Sequence, residues 1–538
     1  MPDSGVPARV DIFDTTLRDG SQREGISLTV DDKLRIAEQL DHLGVQYIEG
    51  GWPGANPKDD EFFRRVREGE LTLATSTLVA FGSTRRAGGD VNDDPTLANV
   101  VGAGTDVVCI VGKSWDYHVT EALRTSLDEG VAMVGDSIAW LVAQGKRVFF
   151  DAEHFFDGYK RNPEFALRVL HAAERAGAEV LVLCDTNGGT LPHEAAQIVR
   201  DVREQSIAEV GVHFHNDGGT AVANALAGVL AGATQVQGCI NGYGERTGNA
   251  NLCTIIPNLS VKMGVETIPA DRLERLTPVA HHISELVNIT PDPQQPYVGV
   301  SAFAHKAGLH MSAIARARDA YEHVDPETVG NGTRFVVSEL AGRSTIEMKA
   351  RELGLEMDGP AMSRVLDELK TLEHRGYHFE AADGSLELLM RSATGWTQAF
   401  FDVESFRVIT EQRENGAFTT EATIKVHVGD RRIVATAEGN GPVNALDGAL
   451  RIAIGQAYPS LSSLHLTDYK VRVLDTAKGT GAVTRVLIDS TDGETSWSTI
   501  GVSENVIEAS WQALSDSIVY GLLHAARGDN DRDRNGAT

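Results

Sequence analysis

Cysteine is scarce in this chain. Four residues, Cys109, Cys184, Cys239 and Cys253, are spread through 538 positions. No CxxC pair or other close spacing occurs, so there is neither a disulfide framework nor a thiolate metal site to read, and a reducing cytoplasm is the expected setting. Long apolar runs are also missing. The longest are broken by Gly, Asp or Arg and fall short of the ~20 residues that cross a bilayer. The opening residues, Met-Pro-Asp-Ser-Gly-Val-Pro-Ala-Arg, hold no apolar segment of the kind a secretory signal needs. Positive charge is in deficit: 49 Lys and Arg face 76 Asp and Glu, a formal net charge of −27. That balance argues against a nucleic-acid surface or an anionic-membrane surface. It leaves open a small anionic substrate, held by a local arginine or a cation.

What is present is an alternation. From Val10 to about Met263, apolar strand-like runs (10–14, 46–50, 71–76, 106–111, 147–151, 179–184, 209–214 and 235–240) alternate with helical patterns such as Asp31–Leu43, Glu164–Ala176 and Pro192–Arg203. Thr29 or Asp31 caps the first helix and Gly44 ends it. Eight strand–helix units over about 250 residues are what a closed (β/α)8 barrel requires; an open doubly wound sheet is the alternative. The fold class is therefore α/β: a TIM barrel over 10–275 after a flexible N-terminus, then a helical linker and lid over 276–400. Residues 401–525 repeat a βββα order twice, ending in helices 443–456 and 504–523. They form an α+β module with pseudo-twofold character, suited to packing on itself or on another subunit. The charged segment 526–538 reads as a disordered tail.

The strand ends carry the chemistry. Arg18-Asp19 follows the first strand, and His213-Phe-His215 closes the seventh. Residues two apart on a strand point to the same side, so the two imidazoles project together. With Asp19 they offer a carboxylate and two nitrogens to a divalent cation, and the donor set permits Mg²⁺, Mn²⁺, Co²⁺ or Zn²⁺. Both histidines could instead be neutral core residues. Arg18 could bridge to a strand-end carboxylate such as Glu49; beside a metal it would polarise a carbonyl oxygen. Glu153, after Phe149-Phe150-Asp151-Ala152, is either a surface carboxylate or a partly desolvated acid–base group. After the eighth strand, Gly242-Tyr-Gly244-Glu-Arg246-Thr-Gly248-Asn249 is a glycine loop of the kind that approaches a ligand closely, although tight turns use glycines too.

Asp14-Thr-Thr-Leu-Arg-Asp-Gly-Ser-Gln22, His213-Phe-His215-Asn-Asp and Gly244-Glu-Arg-Thr-Gly-Asn249-Ala resemble the signature set of the DRE-TIM metallolyases. That family includes synthases of 2-isopropylmalate, homocitrate and citramalate and the 3-hydroxy-3-methylglutaryl-CoA lyases. The repeated C-terminal module, above all Glu438-Gly-Asn-Gly-Pro-Val-Asn-Ala-Leu, resembles the regulatory domain of the synthases. The resemblance implies that Asp19, His213 and His215 bind the metal, with Asn249 as a direct or water-mediated fourth contact. It implies that Arg18 holds the 2-oxo group, Thr186 the substrate carboxylate, and that Glu153 takes part in deprotonating acetyl-CoA, the co-substrate. Gly242, Gly244 and Arg246 would contact acetyl-CoA, and His310 and Tyr321 would act from the lid; the sequence Met311-Ser-Ala after His310 departs from the common synthase pattern. The run Glu49-Gly-Gly-Trp-Pro-Gly-Ala-Asn-Pro-Lys-Asp most resembles the branch that condenses acetyl-CoA with pyruvate to (R)-citramalate on a route to isoleucine. A branch using 2-oxoisovalerate and an acyl-CoA lyase are the alternatives. A homodimer and an amino-acid effector are implied partners.

Overall fold

The computed structural model describes residues 6–305, 314, 317, 320–335, 343–396, 400–412, 414–474, 479 and 481–535. They divide into two compact units. The first, residues up to 303 together with 322–333, is a closed parallel barrel of eight strands in sequence order. Its strands are β1 (Asp11–Asp14), β2 (Tyr47–Gly51), β3 (Thr77–Ser83), β4 (Val107–Lys113), β5 (Arg147–Glu153), β6 (Val180–Asp185), β7 (Glu209–Phe214) and β8 (Gln235–Gly238). Helices connect them on the outside. The first, Val30–Leu43, is capped by Thr29 in a reciprocal box with Asp32 and closed by Gly44 at φ +92°, as side-chain capping and a left-handed stop require.

The alternation along each strand sorts the barrel wall. Outward residues such as Ile12, Ile48, Ile110, Phe150, Leu181 and Val212 join the helices in one core. Inward residues run from an apolar base to a polar top. Phe13, Tyr47 and Phe149 fill the base, with Tyr47 and Phe149 in edge contact at 5.0 Å. The next inward residues are Glu49 on β2, Asp151 on β5, His213 on β7 and Gln237 on β8, all nearly inaccessible. A bulge between Glu49 and Gly51 in the β2–β3 pairing re-aims the end of β2.

The third strand corrects the expectation of 71–76. Those residues form no strand, because Asp41 captures the segment: its carboxylate accepts the backbone N–H groups of Ala74, Thr75 and Ser76 at 3.0, 2.8 and 2.7 Å. Ser76 then donates to Val45 O at 2.7 Å. The strand follows instead, from Thr77 to Ser83.

The second unit comprises residues 304–321 and those from 334 onward. Strands β9 (Ala304–His305) and β10 (Arg334–Phe335) pair in parallel. Helices Arg343–Glu352, Gly359–His374 and Asp383–Ala393 share a core around Ile346, Leu369 and Met390. Two antiparallel sheets follow: β11 (Asp402–Gln412), β12 (Phe418–Val428) and β13 (Arg431–Gly439), then β14 (His465–Val473), β15 (Thr484–Thr491) and β16 (Ser496–Ser503). Each sheet is followed by a helix, Pro442–Ile454 and Val506–Asn535, so the βββα repeat is present. Ile424 and Val426 of one sheet and Val486 and Ile488 of the other contribute to one core with both helices. The last helix is assigned as far as Asn535. Among the described residues, no helix is long and apolar enough to cross a membrane.

Candidate active site

Asp19, His213 and His215 meet at the top of the barrel. Asp19 follows β1 at the start of a short 3-10 turn; the two histidines end β7 on one face. His213 Nε2 and His215 Nε2 stand 3.3 and 3.6 Å from Asp19 Oδ2. All three side chains are buried, and one ligand atom from each lies within 4.8 Å of the others. Burial alone would raise the Asp19 pKa, but Arg18 and the imidazoles outweigh it and hold the carboxyl well below its usual range. Burial and the neighbouring His213 push His215 down to about 4, which leaves a neutral ring able to donate a lone pair.

Asn249 tests whether these residues suit a cation. Its Nδ2 donates to Tyr243 O at 3.1 Å, and it pairs with His215 in an isolated bridge. Its Oδ1 is buried without a hydrogen-bond partner. A buried acceptor left unsatisfied is costly, and this one belongs to a residue paired with His215, of a donor type that suits a divalent metal together with a carboxylate and imidazoles. Gly244 makes room for it. At φ +148°, a Cβ there would lie 2.2 Å from Asn249 Nδ2.

Arg18 is held from three sides. Its Nε donates to Glu49 Oε2 at 2.5 Å, its Nη1 lies 3.9 Å from Asp19 Oδ2, and its guanidinium stacks 3.9 Å above the Phe81 ring. Burial would lower its pKa, but Glu49 and Asp19 outweigh it and keep the cation charged. Glu49 itself is lifted to about 7 by burial, against the pull of that guanidinium. The bridge to Glu49 and a place beside Asp19 are thus compatible.

A cavity of about 690 Å³ opens above, lined by Arg18, Asp19, Glu153, Thr186, His213, His215 and Arg246 among others. Glu153 pairs with Lys113 across the β4–β5 ends. Thr186 Oγ1 accepts the His154 N–H at 3.0 Å, and a hydroxyl that accepts there can still donate its own proton. Arg246 clamps Asp217 through Nε and Nη2 at 2.7 and 2.9 Å, donates to Thr186 O at 2.8 Å, and brings Nη2 to 3.1 Å from His215 Nδ1.

Comparison with known proteins agrees with this geometry. Residues 9–282 match the HMGL-like family model, 297–377 the homocitrate synthase post-HMGL domain-like model, and 380–522 the LeuA allosteric (dimerisation) domain. The chain is 55% identical to an (R)-citramalate synthase of Streptomyces coelicolor over 96% of this chain and 97% of that one. It is 52% identical to an (R)-citramalate synthase of Aquifex aeolicus, over 96% and 98%. A probable 2-isopropylmalate synthase of Methanopyrus kandleri is 31% identical over 98% and 100%. The chain belongs to the (R)-citramalate synthase branch of the HMGL-like family.

In this family member, Arg18, Asp19, Glu153, Thr186, His213, His215, Arg246 and Asn249 cluster at one end of the barrel. Gly242 lies beside them, at φ +64° and 3.3 Å from Asn249 O as a Cβ would measure it. Tyr321 belongs to the second unit and is 42% exposed; His310 lies outside the described residues. Three partners were not read as site residues: Gln237, Lys113 and Asp217. Gln237 left a signal, since Gln-Val-Gln-Gly is a polar alternation on the face of β8 that a packed barrel would fill with aliphatics.

Proposed function

We propose that this chain catalyses the metal-dependent condensation of acetyl-CoA with pyruvate, followed by thioester hydrolysis to (R)-citramalate and CoA. The observation that carries the reading is the convergence of Asp19, His213 and His215 on one point beside Arg18, with Asn249 Oδ1 buried and unpartnered. A divalent cation bound there supplies a Lewis acid for the keto oxygen of the 2-oxo acid. Arg18, fixed by Glu49 and Phe81, places a permanent positive charge where the alkoxide develops. Thr186 donates to the substrate carboxylate. Glu153 takes a proton from the acetyl methyl group, and the carbanion equivalent attacks the ketone. Hydrolysis of the thioester then makes the sequence irreversible in practice. Arg246, on the cavity wall, and Gly242 and Gly244 form the loop assigned to acetyl-CoA; His310 and Tyr321 are assigned to the lid.

Pyruvate is favoured over 2-oxoisovalerate because the relatives at 52–55% identity carry the citramalate synthase name, and the 2-isopropylmalate synthase stands at 31%. The match of 380–522 to an allosteric dimerisation domain supports a homodimer controlled by an amino acid, for which isoleucine is our choice. Four free, buried cysteines suit the cytoplasm. The test is thiol release from acetyl-CoA with a panel of 2-oxo acids, with and without chelator and isoleucine. Pyruvate should be preferred, chelator should abolish release and isoleucine should lower it. A preference for 2-oxoisovalerate would transfer the chain to the leucine route, and chelator-resistant turnover would end the metal reading.

A further inference from the structure

Gln237 places a neutral amide deep inside the barrel, 1% exposed. It lies directly beside His213 in the β7–β8 ladder. Its Oε1 stands 2.9 Å from His213 Nδ1, and its Nε2 donates to Asp151 Oδ1 at 3.0 Å. Asp151 is 3% exposed and lies close to the Cys109 thiol. Reversing the amide would turn its carbonyl toward a carboxylate and lose that bond, so the network assigns oxygen to the histidine side. Facing a carbonyl, Nδ1 must carry the proton. The ring's lone pair then lies on Nε2, the nitrogen 3.3 Å from Asp19. A buried amide is worse than an aliphatic for packing alone.

We propose that Gln237, anchored by Asp151, is a positioning residue that fixes the ring and the proton of His213 so that Nε2 is presented to the cation. Gln237 acts through the histidine and touches no substrate. Outer partners that donate to or accept from a ligand's second nitrogen set its tautomer and basicity. The inference rests on the metal-site reading above.

The test is Mn²⁺ titration of the chelator-stripped, full-length protein by calorimetry, with thermal melting of each stripped variant alongside. Gln237→Met keeps the volume and removes the acceptor. It should weaken Mn²⁺ binding by roughly 10- to 100-fold, beyond anything its melting temperature explains. Gln237→Glu combined with Asp151→Asn restores an acceptor for His213 and a donor between the two strands, and should bind within about threefold of wild type. Such rescue is not expected of a residue that merely fills space. Wild-type affinity in Gln237→Met, or a double variant as weak as Gln237→Met, overturns the proposal. Asp19→Ala and His213→Ala separate the two levels. If they lose Mn²⁺ while Gln237→Met does not, the positioning role alone fails; if they bind as wild type, the metal site itself is wrong.

Discussion

His213 and His215 are two residues apart on one strand, yet their second ring nitrogens meet opposite kinds of group. Below, His213 Nδ1 meets the carbonyl of Gln237 in a layer where Glu49, Asp151 and Gln237 are at most 3% exposed. Above, His215 Nδ1 meets the Arg246 guanidinium, itself paired with Asp217 at side-chain exposures of 43% and 25%. Polar groups in the lower layer carry their full desolvation penalty, so each must keep its partner and the geometry is over-determined. Ion pairs at the mouth are wetted and are worth about 1 kcal/mol or less apiece. A guanidinium donor leaves the lone pair on His215 Nδ1 and the proton on Nε2. Under the proposed metal site His213 therefore presents Nε2 as it stands, whereas His215 does so only once its contact with Arg246 shifts. That division suits a site which must hold a cation permanently and admit a long thioester transiently.

The largest effect should come from the proposed ligands themselves. Asp19→Ala or His213→Ala is expected to lower thiol release by at least ~10³-fold, the scale of removing a group that stabilises developing charge, while circular dichroism stays unchanged. His215→Ala sharpens the contrast. If its Mn²⁺ affinity and turnover survive better than those of His213→Ala, the lower ligand dominates; equal losses would show both rings to be equally bound.

The pairing of Asp19 with the two histidines was legible because strand periodicity is local: His213 and His215 share a face whatever the rest of the chain does. The eight-fold alternation likewise announced the barrel, and the offset repeats announced the second unit's sheets. The third strand was misplaced because Leu71-Thr-Leu-Ala-Thr-Ser alternates as well as Thr77–Ser83 does, and only the distant Asp41, three backbone N–H groups in hand, decides between them. Gln237 went unread for a related reason. Its partners lie on strands 24 and 86 residues away, so its role exists only once the barrel closes. Glu153 was legible as a candidate carboxylate, but its partner Lys113 sits on the neighbouring strand, a pairing that only the parallel register creates.

Arg246→Ala probes the mouth. It removes the clamp on Asp217 and Thr186 O without touching the lower layer, so kcat/KM for acetyl-CoA should fall about tenfold, equivalent to ~1.4 kcal/mol, with Mn²⁺ affinity within about threefold of wild type. A loss of metal comparable to that of Gln237→Met would mean that the mouth supports His215 as firmly as the floor supports His213, and the contrast would collapse.

The last effect is a pH slope in the lower layer. Burial lifts Glu49 from 4.5 to about 7, so between those values the folded chain holds a proton that the unfolded chain has released. Unfolding free energy must therefore fall as pH rises through this window: the contribution is complete below about 4.5 and lost by the time Glu49 ionises near 7. A full shift of this size corresponds to about 3 kcal/mol, with the opposing pull of the Arg18 guanidinium already included in it. Glu49→Gln cannot ionise, and its melting temperature, measured on metal-stripped protein from pH 5 to 8, should decline less steeply than the wild type's. Other titrating groups are common to both proteins and cancel in the difference. Parallel curves would place the Glu49 carboxyl in an ordinary, ionised state throughout, and would make the floor's electrostatics as unremarkable as those of the solvent-screened pairs above it.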